Sequence, residues 1–239
     1  MTKPVSFINL ISLSRRNRND DSAQGRRETR MTPNLCIELH AVDEMVGLAM
    51  RFRHIEGWLG DHEGYLLFRL ARDAEGAGAI VEIGSWMGRS TAWLAAGSIA
   101  TGRERVRAVD TFTGSQEHQN HDLIRREGTT YHRFTDNLED VGLFEHVEPI
   151  IAESRNAARD WNGGAIRLLF IDGDHQYEGV KTDFDLWAKH VPTGGFVVFD
   201  DVAEKHPGVW KFIGELRGDS AHWQHVISVG KTATFQRIA

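Results

Sequence analysis

From Ala77 onward the chain repeats one rhythm: a short apolar run, a stop on glycine or an acid, then an amphipathic stretch. The runs are "AGAIVEIG", "RVRAVD", "HVEPIIA", "IRLLFID" and "GGFVVFDD", and "GRSTAWLAAGSIA" and "QYEGVKTDFDLWAKHV" read as helices between them. Strands that are apolar at successive positions must be covered on both faces, and helices between consecutive strands supply that cover in a parallel sheet. In the second helix Tyr177, Val180, Phe184, Trp187 and Val191 share one face, while Lys181, Asp183, Asp185 and Lys189 read as a solvated face. The final segment, "WQHVISVGKTATFQRI", breaks the rhythm. Two strand-like runs around Gly230 predict a hairpin that adds an antiparallel strand to the sheet.

Ahead of this rhythm the pattern is helical. Val42, Met45, Ala49, Phe52 and Glu56 through Leu59 nearly trace one stripe, and "EGYLLFRLARDA" predicts a second helix. Residues 31–76 therefore read as a helical extension and residues 77–239 as the sheet domain. Residues 1–30 contain "SRRNRNDDSAQGRRETR", with little to pack, and predict a flexible tail. Asp20, Asp21 and Glu28 argue against a transit peptide. Met31 opens "MTPNL", and a translation start there is a hypothesis.

The 239 residues, 41% of them hydrophobic, suffice for one globular domain with a two-faced sheet. A net charge of -6 supplies no overall attraction for nucleic acid or an anionic membrane. The single cysteine, Cys36, excludes an internal disulfide and a cysteine zinc cluster, and reads as a small semi-buried side chain. No apolar run approaches the roughly 20 residues that span a bilayer, and "VSFINLIS" lacks a following cleavage site. A cytoplasmic protein with a small-molecule partner is expected, and a homo-oligomer through the leading helices is a hypothesis.

In a doubly covered parallel sheet, ligands bind beyond the carboxyl ends of the strands, so the residues that end each run carry the functional reading. "VEIGSWMGRS" places Gly84 and Gly88 between a strand and a helix, where a missing side chain lets backbone approach a ligand. Their spacing is not the dinucleotide pattern G-x-G-x-x-G, and a plain tight turn explains them equally well. The next strand ends on Asp110, whose carboxylate can accept both hydroxyl hydrogens of a ribose. Further on, "FIDGDH" delivers Asp172, Asp174 and His175, and "VFDD" delivers Asp200 and Asp201. Two strands bring acids to one place.

Together with "IIAES", these segments resemble the class I S-adenosylmethionine-dependent methyltransferases over roughly Ala77 to Ala239. The resemblance implies an α/β, Rossmann-like methyltransferase fold: a seven-stranded, mostly parallel sheet with a C-terminal antiparallel hairpin, here behind an N-terminal helical extension. It implies that Glu82, Gly84, Ser85 and Gly88 line the methionine and ribose portion of S-adenosylmethionine, that Asp110 holds the ribose hydroxyls, and that Glu153 and Ser154 border the adenine. Glu153 reads equally as an exposed acid at a helix start.

Within that superfamily, "FIDGDH" followed by "VFDD" is similar to the metal-dependent small-molecule O-methyltransferases, catechol-type and sugar-modifying. Matched residue by residue, Asp172, Asp200 and Asp201 fall where those enzymes bind Mg2+, or another divalent cation. Three gathered carboxylates repel unless a hard cation joins them. Where the catechol type carries a lysine three residues beyond its first metal ligand, this chain has His175. An imidazole, with an ordinary pKa of about 6.5, can accept a proton near neutral pH, and His175 is the expected general base; a helix cap or a carbonyl partner is its plainer role. Asp174 reads as a helix cap in preference to a group orienting that imidazole.

The expected function is thus Mg-dependent transfer of a methyl from S-adenosylmethionine to a hydroxyl of a small molecule, a sugar or saccharide before a catechol. The polar segment Thr111 to Phe134 reads as a lid or acceptor-contacting loop, with His118, His121 and His132 solvated. His206 and Trp210 are placed to flank the acceptor, with core packing the other reading of Trp210. Trp58, Trp86, Trp93, Trp161 and Trp223 read as core or interface residues. Two rivals stand: a non-heme iron oxygenase built on Asp172, His175 and another acid, and a non-catalytic binding protein whose acids only cap strand ends.

Overall fold

A computed structural model describes residues 33–115 and 120–239, with side chains from residue 38 onward. The expected tail, the Cys36 side chain and His118 lie outside the described residues. Two helices, α1 (Pro33–Phe52) and α2 (Asp61–Asp73), precede the sheet. There follow β1 (Ala79–Ile83), α3 (Arg89–Ala100), β2 (Val106–Asp110), α4 (Asp122–Glu127), α5 (Tyr131–Asp140), β3 (Val147–Ile151), α6 (Ser154–Arg159) and β4 (Ile166–Ile171). The chain ends with α7 (Tyr177–Trp187), β5 (Phe196–Phe199), α8 (Pro207–Gly218), β6 (Trp223–Val229) and β7 (Thr232–Arg237).

The strands form one sheet in the order β3-β2-β1-β4-β5-β7-β6. The first five run parallel, and β7 lies antiparallel between β5 and β6, as the hairpin around Gly230 predicts. Every residue of β4 is buried, because helices close both faces of the sheet. On one side Ile80, Leu168, Phe170 and Val198 pack with Phe52 of α1, Leu67 of α2, Trp93 of α3 and Phe134 of α5. On the other, Val81, Leu169, Ile171 and Phe199 pack with Ala157 of α6, Trp187 of α7 and Phe212 of α8. No helix among the described residues is long and apolar enough to cross a membrane.

Helices α2 and α3 approach at two glycines. A Cβ on Gly97 would stand 2.2 Å from the Phe68 carbonyl oxygen, and one on Gly64 would stand 2.3 Å from Trp93 Nε1. The indole of Trp93 fills the space that Gly64 leaves, with Phe52 edge-on to it at 5.2 Å. Arg167 of β4, also fully buried, donates to the Leu70 and Ala71 carbonyls at the end of α2. Those carbonyls belong to the last turn of the helix, where backbone donors run out; Leu70 O also takes the Ala74 N–H at 3.1 Å, and the guanidinium fastens the extension to the sheet.

Three sequence expectations change. Val42 is exposed, because α1 packs through Leu48, Ala49 and Phe52 and turns its other apolar stripe outward. Asp183 is buried, because the loop after β4 closes over that face of α7: a Cβ on Gly173 would lie 3.2 Å from Asp183 Oδ2. The segment from Thr111 to Phe134 is no simple loop, since it holds α4 and the start of α5 and buries Phe112, Leu123, Ile124 and Phe134. Trp58 and Trp210, by contrast, are exposed.

Gly97→Ala tests the helix contact. Alanine gains about 1 kcal/mol of helix propensity over glycine, but forcing a methyl against a backbone carbonyl costs about 1–3 kcal/mol. Urea denaturation is expected to show a net loss; a stabilised variant would mean that α2 and α3 are further apart than described.

Candidate functional site

The strand register builds the site. Ile83 pairs with Val109 on one side and Ile171 on the other, and Ile171 pairs with Phe199. The next residues along these four strands are Asp110, Gly84, Asp172 and Asp200, so they form one row across the carboxyl edge of the sheet. Backbone bonds hold the row: Gly84 N donates to Val109 O at 2.9 Å, Asp172 N to Ile83 O at 2.8 Å and Asp200 N to Ile171 O at 3.1 Å. Gly84 has φ 85°, and a Cβ there would stand 2.1 Å from the Asp172 carbonyl oxygen. Only glycine admits that approach.

Among the described residues, three non-glycine residues adopt left-handed backbone, Trp86, Phe112 and Asp201, and each lies in a loop leaving this edge. Such conformations persist where surrounding bonds over-determine them. Asp110 supplies those bonds for two of the loops. Its Oδ2 accepts from Ser85 N at 2.7 Å and Trp86 N at 2.8 Å, and its Oδ1 accepts from Phe112 N at 2.7 Å. A carboxylate has about four lone-pair positions, and backbone N–H groups take three of those on Asp110. Behind the loop, Ser85 Oγ and Thr91 Oγ1 donate to Glu82 Oε2 at 2.8 and 2.5 Å. Burial pushes the Glu82 carboxyl up to about 7 against those hydrogen bonds.

These loops open onto a cleft of about 1150 Å³. Gly84, Ser85, Asp110, Glu153, Ser154, Asp172, His175, Asp200 and Asp201 line it. Glu82 and Gly88 lie behind its wall: Glu82 is fully buried beneath Ser85, and Gly88 abuts Phe134. Ser154 faces the cleft yet also donates to Asp183 Oδ1 at 2.6 Å and accepts from Trp187 Nε1 at 2.9 Å. Glu153 is the residue that precedes α6, without a side-chain capping bond. The extension contributes Glu56, Trp58 and Leu59, held by Arg89, which donates to Leu59 O at 2.8 Å, Ile55 O at 3.0 Å and Asp61 Oδ1 at 2.9 Å. His121 bonds Glu56 at 2.8 Å and stands edge-on to Trp86, while His132 is exposed.

At the far end of the row, His175 Nε2 lies 3.1 Å from Asp201 Oδ2 and 3.8 Å from Asp172 Oδ1. His206 Nε2 lies 3.3 Å from the same Asp201 oxygen, and the two imidazole rings are 4.6 Å apart. Asp174 is not the N-cap of α7, a place Gln176 takes; its Oδ1 accepts from Gln176 N at 2.9 Å in the turn ahead of the helix. Lys231 Nζ donates to Asp200 Oδ2 at 2.7 Å and to Asp201 Oδ1 at 2.5 Å. Burial raises the carboxyls of Asp172 and Asp200, and their mutual repulsion with neighbouring acids adds to it. Burial also acts on Asp201, but Lys231 and the two histidines outweigh it and lower that carboxyl.

The acid cluster suits a divalent cation in donor chemistry. Asp172, Asp200 and Asp201 offer hard oxygen ligands, and Asp200 Oδ1 is buried with no hydrogen-bond partner among the described residues. Sequence reasoning missed two residues of this neighbourhood. Lys231 is delivered by the antiparallel pairing of β5 with β7, in which Phe199 lies opposite Ala233; the only signal was its place beside Gly230 in the hairpin turn. Asp183 falls on the solvated face of α7 by sequence pattern, and nothing in helical periodicity distinguishes a face closed by a loop from one open to water.

Residues 81–202 match the family described as a methyltransferase domain. The chain is 43% identical over 58 residues to an uncharacterized protein, R132, of Acanthamoeba polyphaga mimivirus, covering 22% of this chain and 26% of that protein. It is 32% identical over 143 residues to uncharacterized protein y4gI of Sinorhizobium fredii, covering 57% of this chain and 15% of that protein. The chain thus spans well under two thirds of either relative. Among solved structures it is similar to the O-methyltransferase TomG from Streptomyces achromogenes, involved in tomaymycin synthesis and solved in complex with S-adenosylmethionine. That likeness has a TM-score of 0.57 at 18% identity, covers 98% of this chain and 97% of the other, and is one of fold.

The buried acid of α7 gives a pH test. Burial pushes the Asp183 carboxyl up to about 6, from an ordinary 3.8, against the bond from Ser154. The folded protein therefore holds this proton more tightly than the unfolded chain, and stability falls as pH rises from about 4 to about 6, with the full penalty present above that window. Asp183→Asn, whose amide oxygen can still accept from Ser154, removes the titration. Urea unfolding is expected to show the variant gaining on the wild type across that window; parallel curves would mean that Asp183 is solvated.

Proposed function

The chain belongs to the methyltransferase-domain family, and on that premise we propose that it is an S-adenosylmethionine-dependent O-methyltransferase acting on a hydroxyl of a small molecule, a saccharide in preference to a catechol. One observation carries the reading: the Gly84–Ser85 turn with Asp110, and the cluster of Asp172, His175, Asp200 and Asp201, face the same cleft. The likeness to an O-methyltransferase solved with S-adenosylmethionine supports the choice of donor. The cleft wall presents Glu56, Arg89, Glu178, Lys205 and His206 beside Trp58 and Trp86. Polar groups with aromatic faces among them suit a hydroxyl-rich ring better than a flat apolar one.

Each residue then has a task. Gly84, lacking a side chain, and the backbone held by Asp110 shape the turn against which the donor lies. His175 takes the proton of the acceptor hydroxyl on the ring nitrogen other than Nε2, which faces the two carboxylates. The imidazolium that forms faces Asp201 Oδ2 at 3.1 Å and Asp172 Oδ1 at 3.8 Å, so its charge is met where it develops. A divalent cation held by Asp172, Asp200 and Asp201 supplies, when bound, Lewis acidity that makes the hydroxyl easier to deprotonate. The acceptor oxygen is the nucleophile toward the sulfonium methyl, and holding the two in line can contribute up to roughly 7–11 kcal/mol.

A second reading rests on His175, Asp201 and His206, whose ligand atoms all lie within 4.8 Å of one another. Two histidines and one carboxylate form the donor set of non-heme iron oxygenases. The turn and Asp110 have no use in such an enzyme, and anaerobic calorimetry with S-adenosylmethionine separates the two, since the oxygenase reading predicts no heat.

The main test is transfer of a labelled methyl group to saccharide and catechol acceptors with and without Mg2+. His175→Asn is expected to lower turnover by about 10²- to 10⁴-fold, the usual worth of a general base, while donor affinity measured by calorimetry stays unchanged. Undiminished turnover moves the base elsewhere, and donor binding without transfer to any hydroxyl acceptor ends the O-methyltransferase reading.

A further inference from the structure

Lys231 is placed as firmly as the acids it meets. Its N–H donates to Glu63 Oε1 at 2.7 Å, and its carbonyl accepts from Val202 N at 2.7 Å. Glu63 belongs to α2 and Val202 follows the second aspartate of the pair, so the turn between β6 and β7 is held from two sides. Gly230 precedes it with φ 55°, and a Cβ there would lie 2.2 Å from Glu63 Oε1. The stem of Lys231 therefore starts from a fixed point at the cleft. Its ammonium bridges Asp200 Oδ2 and Asp201 Oδ1, with the three side chains only 18%, 1% and 8% exposed. In such a site screening by solvent is weak, and each ion is held by its partners.

The ammonium occupies two oxygens of the carboxylate set that fits a divalent cation. An ion such as Mg2+ draws its oxygen ligands to about 2.0–2.1 Å and tolerates little distortion. A second positive charge on the same two carboxylates repels it at short range, with little water between. Lysine has a flexible four-carbon stem and can move its charge without moving the backbone, and Lys231 borders the open cleft into which it would swing.

We propose that Lys231 is the resident counter-ion of Asp200 and Asp201, and that a divalent cation enters the cluster only by displacing it, so that this lysine sets the metal affinity of the site. The inference rests on the metal-assisted reading above. The contrary arrangement keeps Lys231 on the oxygens it holds now, while the metal takes the others, among them the buried Asp200 Oδ1; it predicts that metal binding leaves the accessibility of Lys231 unchanged.

The experiment uses Mn2+ alone, without donor or acceptor, on the full chain. Calorimetry compares wild type with Lys231→Met, which keeps the length of the side chain and removes its charge, and with Lys231→Arg, which keeps the charge. Displacement predicts binding at least about tenfold tighter in the methionine variant, as expected for removing a unit charge a few ångströms from the ion, and no such gain in the arginine variant. In wild type, acetic anhydride labelling mapped by mass spectrometry should increase at Lys231 when Mn2+ saturates the protein, a readout that needs no variant to fold. Equal or weaker binding by Lys231→Met, or labelling that stays constant or falls, overturns the proposal while Mn2+ binding by wild type leaves the metal-assisted reading standing. Absence of Mn2+ binding in all three proteins overturns both.

Discussion

The parallel hydrogen-bond register of β2, β1, β4 and β5 is the constraint from which the site follows. Because Val109, Ile83, Ile171 and Phe199 lie abreast, whatever follows them in the chain must emerge abreast as well. Here that is one glycine flanked by acids. The glycine is required by the contact with the Asp172 carbonyl. The acids beside it divide into two tasks: Asp110 spends most of its acceptor capacity on the backbone of two loops, while Asp172 and Asp200 have few protein donors and are raised by burial.

Gathering carboxylates at a sheet edge is unfavourable by itself, and the surrounding elements are arranged to offset it. His175 comes from the loop ahead of α7, His206 from the residue ahead of α8, and Lys231 from the hairpin turn. All three converge on Asp201, which is the one acid of the cluster whose carboxyl is lowered. Its left-handed backbone, at φ 54°, turns the chain so that one carboxylate oxygen meets the lysine and the other meets the imidazoles. The chemistry proposed for the cleft depends on this division, because an imidazole beside a carboxylate can carry the charge that proton transfer leaves on it. The extension takes part too: Glu63 of α2 fastens the turn that carries Lys231, and Arg89 latches the segment bearing Trp58 against the cleft.

Much of this was legible without coordinates. Continuous apolar runs require a sheet covered on both faces, and acids at the ends of such runs can only sit at its carboxyl edge; both statements follow from the exclusion of water from apolar strands and its access to their ends. The antiparallel hairpin was visible in two strand-like runs about a glycine. Roles that depend on a neighbour distant in sequence were not visible. The apolar stripe of α1 holds two candidate faces, and only packing against α2 and α3 selected the one through Phe52 and left Val42 outside. Glu82 is an acid of the same kind as Asp110 in the sequence, yet its place two residues before the edge leaves it buried behind the wall, bonded to Ser85 and Thr91.

The sequence by itself determined the layers, the strand ends and the kind of residue found at each, because these depend on local hydrophobic pattern and on where a run stops. Tertiary structure alone decided which charges meet. The bond from Lys231 to Asp200 depends on the register of an antiparallel strand, and the burial of Asp183 depends on a loop lying over a helix. Neither the register nor the loop's path is written in the periodicity of the segment concerned. Electrostatic energies fall off with distance and rise steeply when water is removed, so the residues' identities supply the charges and the tertiary distances set what those charges are worth.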